Sequence, residues 1–240
     1  MVGERRQRIA AQLLGGVAGQ ETQRLCEVCV DLTGMSGAGL MLMTGEISHG
    51  SVCTTDRVSA TIEELQYALG EGPCFDAYNS DRPVLEPDLA DPGTVRWPAF
   101  SGPAIAAGAR AVFAFPLHVG VVRLGALDLY RDRPGSMSGD QHADALVAAD
   151  VATHAVLELQ SNAPPGRLAA ELAAGSDFRY VVHQASGMVA VQLGVNVGQA
   201  LIRLRAHAFG NERPLVDVAR DVVDRLLRFD ASSGEDDAAR

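Results

Sequence analysis

The sequence predicts an α+β fold for about the first 160 residues, followed by an all-α three-helix bundle. Apolar residues recur at helical spacing near both ends of the first segment, and short apolar runs separated by turn residues lie between them. After residue 166 no strand pattern is present. Helices at both ends of several short strands are typical of one antiparallel sheet with flanking helices.

The first half of this segment contains a helix, two strands and a second helix. Apolar residues between Ile9 and Leu32 recur every three or four positions, which predicts a helix over about residues 4–32. The stretch "GAGLMLMTGEISHGSVCTT" indicates a strand–turn–strand unit, and "DRVSATIEELQYAL" an amphipathic helix that ends at Gly70. Five prolines from Pro73 to Pro98 exclude a long helix there, although "RPVLEPDL" is compatible with a short edge strand.

The second half contains a hairpin and a long helix. After a helix end at "AIAAGA", the runs "RAVFAFPLHV" and "VRLGALDLYRD" predict two strands joined near Gly120. The stretch "SGDQHADALVAADVATHAVLELQ" predicts a long helix with Ser138 or Asp140 near its N-cap. We therefore assign residues 1–160 to one domain.

The remaining chain predicts a linker, three helices and a tail. "SNAPPG" at residues 161–166 breaks the long helix and marks a domain boundary. Within residues 167–229, helices are predicted at "FRYVVHQASGMVAVQL", at "VGQALIRLRAHAF" behind a capping box formed by Asn196 and Gln199, and at "LVDVARDVVDRLLRF" after Pro214. Three short helices bury a shared core only as a bundle. The acidic residues 230–240 are expected to be disordered.

Charge is unevenly distributed along this acidic chain. The net charge is −10, of which residues 1–166 contribute −9, residues 167–228 contribute +2 and residues 229–240 contribute −3. A polyanionic partner must therefore meet the C-terminal helices, because the rest of the chain repels it. All 20 basic residues are arginine, so phosphate loops of the Walker type, Schiff-base enzymes and lysine general bases are excluded.

Composition also bears on location and on the cysteines. No apolar run is long enough to predict a membrane span, and the N-terminus lacks the pattern of a signal peptide, so we expect a cytoplasmic protein without a membrane partner. The four cysteines are too few and too irregularly spaced to predict a disulfide framework. Cys26 and Cys29 lie on the apolar stripe of the first helix, where cysteine is expected to act as a small hydrophobic residue.

The sequence contains none of the common catalytic or cofactor-binding motifs that we considered. The sequence lacks G-x-S-x-G, H-E-x-x-H and G-x-G-x-x-G, and the C-x-x-C pair has no second pair of metal ligands at a usable spacing. His49 and Cys53 are expected on one strand face as structural residues. We predict no catalytic residues, no metal and no cofactor, with Cys74 in its turn as the one candidate for a redox or nucleophilic role.

Residues 20–160 resemble the GAF family of small-molecule sensor domains. The matching features are "GEGP", "RPV", Asp88 after a strand, "RWPAF", a "PL" strand and "LGALDLY". The resemblance implies a central antiparallel sheet with a pocket against one face, while the ligand varies across the family. The residues placed to line that pocket are Cys74, Phe75, Tyr78, Asp88, Trp97 and Phe115. The same residues are also compatible with a filled core that leaves no cavity.

Residues 179–228 resemble the ANTAR family, the RNA-binding module of bacterial transcription antitermination regulators, here of the actinobacterial type. The residues that carry the resemblance are Ala185, Gly187, Met188, Gly194, Ala200, Leu204, Arg205, Ala208, Leu215, Val218 and Ala219. The family implies a three-helix bundle that dimerises, binds paired RNA stem-loops and prevents a terminator from forming. One departure concerns Ser186, which stands where the family commonly has lysine and so removes a cation that would meet phosphate.

We therefore expect a homodimeric, signal-responsive regulator that binds RNA stem-loops, with a possible small-molecule ligand in its sensor domain. The expected RNA-binding residues are Arg179, His183, Gln184, Ser186, Arg203, Arg205 and His207. A competing interpretation pairs Arg203 and Arg205 with Asp217, Asp221 and Asp224 of the same chain. The alternative function is a small-molecule or redox sensor whose helical tail binds a protein partner.

Overall fold

The computed structural model describes residue 7 and residues 21–44, 47–91, 93, 96–162 and 177–230. The chain divides into two compact units, residues 1–169 and residues 170–240. The predicted start of the first helix, residues 163–166 of the predicted linker 161–166, residues 167–176 and the tail residues 231–240 lie outside the described residues. Ser161 and Asn162, which were assigned to that linker, instead belong to the long helix that begins at Gly139.

The first unit is built on one five-stranded antiparallel sheet with strand order β2–β1–β5–β4–β3. Its strands are β1 (Gly37–Thr44), β2 (Ile47–Thr54), β3 (Val84–Glu86), β4 (Ala111–Val119) and β5 (Val122–Arg131). Its helices are α1 (Glu21–Thr33), α2 (Arg57–Leu69), α3 (Pro73–Ser80), α4 (Ser101–Ala107) and α5 (Gly139–Asn162). The predicted α+β class is confirmed, and "RPVLEPDL" supplies the edge strand β3.

Helices cover both faces of this sheet. On one face α1 and α5 pack together through Val28 and Leu32 against Val147 and Val151. On the other face, residues of α2, α3 and α4 share a buried core with Trp97 and with the strand residues Val112, Ala114 and Tyr130. Because side chains alternate along a strand, the intervening Phe113 and Phe115 point toward the α1–α5 face. Apolar side chains therefore pack on both faces of the sheet.

Helix α2 shows how local sequence sets its ends. The Asp56 carboxylate accepts from the Ser59 backbone N–H at 2.8 Å, and the Ser59 hydroxyl oxygen accepts from the Asp56 backbone N–H at 3.0 Å. This reciprocal pair is a capping box. At the other end Gly70 adopts φ 68°, a left-handed conformation that glycine takes without steric cost. The predicted bounds of this helix are confirmed.

The second unit consists, in its described part, of α6 (Asp177–Leu193), α7 (Val197–Gly210) and α8 (Leu215–Val223). Its buried side chains include Val182, Ala185, Val189, Ala200, Leu201, Leu204, Val218, Ala219 and Val222. The predicted capping box is present, since the Asn196 side chain accepts from the Gln199 backbone N–H at 2.9 Å.

The third helix of this unit is shorter than predicted. We expected it to run to Phe229, but α8 ends at Val223. Leu226 N–H donates to Asp221 O at 2.7 Å and Arg225 N–H donates to Val222 O at 3.1 Å, around a left-handed Arg225 at φ 62°. These two bonds form a Schellman motif, which ends a helix and turns the chain. Apolar periodicity alone does not reveal that turn, because arginine is an uncommon residue in the left-handed position.

Among the described residues, no single helix combines the length and apolar character needed to cross a membrane. One pair, residues 180–193 and 197–210, meets those criteria only when taken together, with a bend of 103° between the helices.

Candidate functional site

The predicted sensor pocket is closed. Cys74, Phe75 and Tyr78 lie on α3 with buried side chains, and Trp97 is buried in the core beside them. Trp97 Nε1 donates to Asp76 Oδ2 at 3.1 Å, and the guanidinium of Arg96 lies 5.0 Å from its ring centre. The space left between α2 and the sheet, beside Gly39, Glu63 and Asp128, is too tight to admit a water molecule. These side chains fill the core in this conformation.

Two residues assigned to that pocket from sequence lie elsewhere. Asp88 is on the surface, where its Oδ1 accepts from Ala90 N at 3.1 Å and from Arg110 Nη2 at 3.1 Å. Both hydrogen bonds lower the pKa of the Asp88 carboxyl, and that from Ala90 has the larger effect. Phe115 lies on the opposite face of the sheet, with its ring centre 5.5 Å from that of His142 on α5. The six predicted residues therefore do not share one pocket.

A buried polar cluster lies where the pocket was expected. Glu63 and Gln66 of α2, Cys74 of α3 and Asp128 of β5 are almost fully excluded from solvent. Gln66 Nε2 donates to Asp128 Oδ2 at 2.7 Å, and Gln66 Oε1 accepts from the Cys74 backbone N–H at 2.8 Å. The Asp128 carboxyl also contacts the side chains of Glu63 and Cys74. Gly39 makes room for this cluster, because a Cβ there would collide with the Glu63 carboxyl.

Burial changes the proton affinities in this cluster. The loss of solvent raises the pKa of Asp128 to about 6, although hydrogen bonds from Glu63, Gln66 and Cys74 oppose that shift. Burial, followed by the nearby charges of Asp128 and Glu63, raises the pKa of the Cys74 thiol. A thiol in this state is not a nucleophile at neutral pH, so the hypothesis of a reactive Cys74 loses its physical basis.

The cysteines differ from the sequence-based expectation. Cys26 of α1 and Cys53 of β2 form a disulfide, with their Cα atoms 6.0 Å apart. Cys26 is thus a cross-link and not merely a small apolar residue, and the expectation of no disulfide was wrong for this pair. Spacing did not reveal it, since the two residues are 27 positions apart and meet only because α1 packs on the sheet. Cys29 is free and buried, and burial raises the pKa of its thiol to about 12.

A second cavity of the first unit lies between β4 and α5, on the face opposite the polar cluster. Its volume is about 400 Å³, and its lining includes Phe115, Leu146 and two histidines, His118 and His154. His118 Nδ1 lies 3.9 Å from a carboxylate oxygen of Asp81, and His154 Nδ1 lies 3.6 Å from one of Asp150. The sequence analysis missed this site, because its residues are distant along the chain and carry no motif.

The predicted RNA-binding residues of the C-terminal unit differ in their exposure to solvent. Arg203 and Gln184 are exposed, and His183, Arg205 and His207 are half-buried. The ring of His207 packs edge-on against Phe229, with 5.3 Å between ring centres. The side chain of Arg179 lies outside the described part of the chain.

Ser186 does not contribute to an exposed face. Its side chain is buried, and its hydroxyl donates to Val182 O at 2.8 Å, one turn earlier in α6. The assignment of Ser186 as an RNA-binding residue is therefore corrected. Residue 186, where the ANTAR family commonly has lysine, is buried in this helical unit, and the short serine side chain fits there because its hydroxyl bonds to the helix backbone.

Two carboxylates of α8, those of Asp217 and Asp221, pair with Arg220 and Arg213, which the competing interpretation did not name. Arg213 Nη2 lies 2.7 Å from Asp221 Oδ2, and Arg220 Nη1 lies 3.2 Å from Asp217 Oδ1. Among the described residues, none forms an ion pair with Arg203. This surface arginine is therefore available to an external anion.

Two arginines that the sequence analysis did not select lie beside α6. Arg225 and Arg228 line a groove of about 660 Å³ together with Gln184, Gly187, Met188, Val191, Gln192 and Leu227. They were missed because the predicted helix carried them away from α6, whereas the turn after Val223 brings them back to it.

Comparison with known proteins identifies the first unit. A family model described as GAF domain matches residues 20–166. The GAF domain of an Acinetobacter phosphoenolpyruvate-protein phosphotransferase has a TM-score of 0.51 at 10% identity, over 67% of this chain and 96% of that one. The corresponding Coxiella burnetii domain has a TM-score of 0.48 at 12% identity, over 67% and 95%. Among curated proteins, none matches this chain significantly.

Proposed function

The chain belongs to the GAF domain family through residues 20–166, and from that premise we propose that it is a cytoplasmic regulator whose C-terminal unit binds RNA stem-loops and acts in transcription antitermination. The GAF domain receives the signal in this scheme, and the three C-terminal helices, which resemble the ANTAR family in sequence, deliver the response. No catalytic step is part of the proposal.

The observation that carries this proposal is the state of the arginines on the C-terminal helices. Intramolecular ion pairs use Arg213 and Arg220, while Arg203 remains exposed without an ion pair to any described residue. An exposed guanidinium forms charge-assisted hydrogen bonds with phosphate oxygens and releases the counterions condensed there. The acidic remainder of this chain of net charge −10 repels a polyanion, so an anionic partner would make its contact at such an exposed arginine.

Two copies of the chain are expected to act together on RNA. The described part of the C-terminal unit offers few free cations, so one copy binds a single stem-loop weakly. Dimerisation joins two such sites, and the second contact then benefits from a high effective concentration. We propose that the sensor domain controls this pairing, because α5 ends at Asn162, shortly before the C-terminal unit begins.

Binding of the full chain to an RNA that carries two short hairpins tests the proposal. Fluorescence anisotropy between about 50 and 200 mM salt is expected to show affinity that falls steeply as salt rises. Arg203→Ala should weaken binding roughly three- to tenfold and reduce the magnitude of the salt slope by about one. Arg133→Ala, which removes an exposed arginine of the first unit, is the matched control and should leave both quantities unchanged.

A protein partner is the second candidate, and apolar exposure on α7 favours it. Ile202 is 47% exposed and Phe209 is 69% exposed, and the two residues, seven positions apart, lie on one face of α7. Isolated apolar residues are normal on protein surfaces, but a group on one helix face is typical of docking. This second function replaces the first under two conditions. The chain binds no hairpin RNA, and it binds a protein whose affinity is lost in Phe209→Ser but does not fall as salt rises.

A further inference from the structure

The groove beside α6 is shaped by the turn that ends α8. Arg225 occupies a left-handed backbone conformation, which disfavours every residue with a Cβ and is adopted far more readily by glycine. The turn directs residues 225–228 across α6, and Phe229 N–H then donates to Gln192 Oε1 at 2.9 Å. The segment is therefore anchored at both ends, and the groove between it and α6 is a defined feature of this unit.

The composition of the groove suits a nucleotide. Its lining combines two guanidinium groups, Arg225 and Arg228, with two side-chain amides, Gln184 and Gln192, over apolar surface from Met188, Val191 and Leu227. No carboxylate is among these lining residues. One lining residue forms an ion pair: Arg228 Nε lies 3.7 Å from Asp230 Oδ1. Both side chains are at least 70% exposed, so solvent screens this pair and it is weak.

An unpaired base is held by contacts to its face, by hydrogen-bonding groups at its edge and by a cation near its phosphate. The groove offers all three within about 660 Å³, which is ample for one nucleotide. A double-stranded stem does not present a free base, whereas an unpaired nucleotide in a hairpin loop does.

We infer that this groove binds an unpaired loop nucleotide of the RNA. The inference rests on the proposed function, to which it adds the part of the RNA that is read. Arg225 and Arg228 hold the phosphates that flank the nucleotide, Gln184 and Gln192 contact the edge of the base, and Val191, which is 85% exposed, covers one side of it. Arg203 then contacts the stem backbone and contributes affinity without sequence preference.

Two substitutions test the groove without threatening the fold. Arg225→Gly removes the guanidinium and places glycine in the left-handed position, so the melting temperature should not fall. Gly187→Leu projects a side chain into the groove from α6, and a Cβ at this position meets no atom within 4 Å. Each variant should raise the Kd for a hairpin RNA roughly tenfold.

The matched controls change the backbone or the charge elsewhere. Glu212→Gly makes the same backbone replacement at a second described residue of this unit that has a side chain and a left-handed conformation, with φ 52°, and should change the Kd by less than about twofold. Arg133→Ala tests the loss of one positive charge outside the unit.

A double-mutant cycle, with one change in the protein and one in the RNA, supplies the decisive comparison. Hairpins with one abasic nucleotide at each loop position in turn are titrated against the wild type and Arg225→Gly. One abasic position should weaken wild-type binding roughly tenfold and have little further effect on the variant, because both changes remove the same interaction. Additive losses, or groove variants that bind like the wild type, overturn the inference. If the wild type binds no hairpin at all, the proposed function fails instead.

Discussion

Replacement of Asp128 by asparagine tests the buried polar cluster of the GAF domain. Asp128 has a pKa of about 6 because it is buried, whereas an aspartate in the unfolded chain has a pKa of about 3.9. The folded state therefore binds this proton more tightly than the unfolded state. The stability that comes from the proton is fully present below about pH 4 and is lost as the pH rises through about 6.

The magnitude follows from the difference of about two pKa units. Each unit corresponds to about 1.4 kcal/mol, so the wild type should lose up to about 3 kcal/mol through this group between pH 4 and pH 7. Asparagine is uncharged and similar in shape, and its oxygen still accepts from Gln66 while its amide donates toward Glu63. The variant should match the wild type near pH 4 and exceed its unfolding free energy near pH 7.

Urea unfolding of both proteins across this pH range measures the difference. Glu64→Gln is the matched control, since Glu64 neighbours Glu63 but is exposed, and its unfolding free energy should follow that of the wild type. A difference between Asp128→Asn and the wild type that does not change with pH would refute the reasoning. A variant that is less stable than the wild type at pH 7 would refute it as well.

Further predictions concern the cross-link and the sheet. Reduction of the Cys26–Cys53 disulfide, or Cys26→Ser, should lower the unfolding free energy by about 3 kcal/mol because a loop closed over 27 residues is released, and denaturant titration with and without reductant measures this loss. Unchanged stability would show that the bond does not constrain the unfolded chain. Gly125→Ala should cost about 3 kcal/mol or more, because its Cβ would collide with the backbone oxygen of Met41 in the neighbouring strand. Gly102→Ala in α4 meets no atom within 4 Å and should be neutral or stabilise by up to about 1 kcal/mol; equal effects of the two substitutions would contradict the close strand contact.

The sequence predicted those elements whose ends carry local chemistry. The capping boxes at Asp56 and Asn196, and Gly70 after α2, determine the ends of helices through neighbouring residues alone. The hairpin joined near Gly120 follows from two apolar runs that are adjacent in the chain. Local patterns of this kind are sufficient to predict the α+β architecture.

The sites were less predictable because they depend on contacts between distant residues. The alternation of side chains in β4 assigns Phe115 to the face opposite Trp97, which a list of apolar residues does not show. The turn at Arg225 depends on a residue in a conformation that its side chain disfavours. Tertiary packing thus decided both the closure of the expected pocket and the presence of the groove beside α6.

RNA crosslinked to the protein in living cells is the most direct test of the account. Sequencing of that RNA should recover tandem hairpins ahead of terminators, and the crosslinked peptides should come from residues 177–230, including Arg225 and Arg228. Recovery should fall strongly for a chain that carries both Arg203→Ala and Arg225→Gly. Crosslinks confined to the GAF domain, or equal recovery by this variant and the wild type, would contradict the claim that the C-terminal helices bind folded RNA.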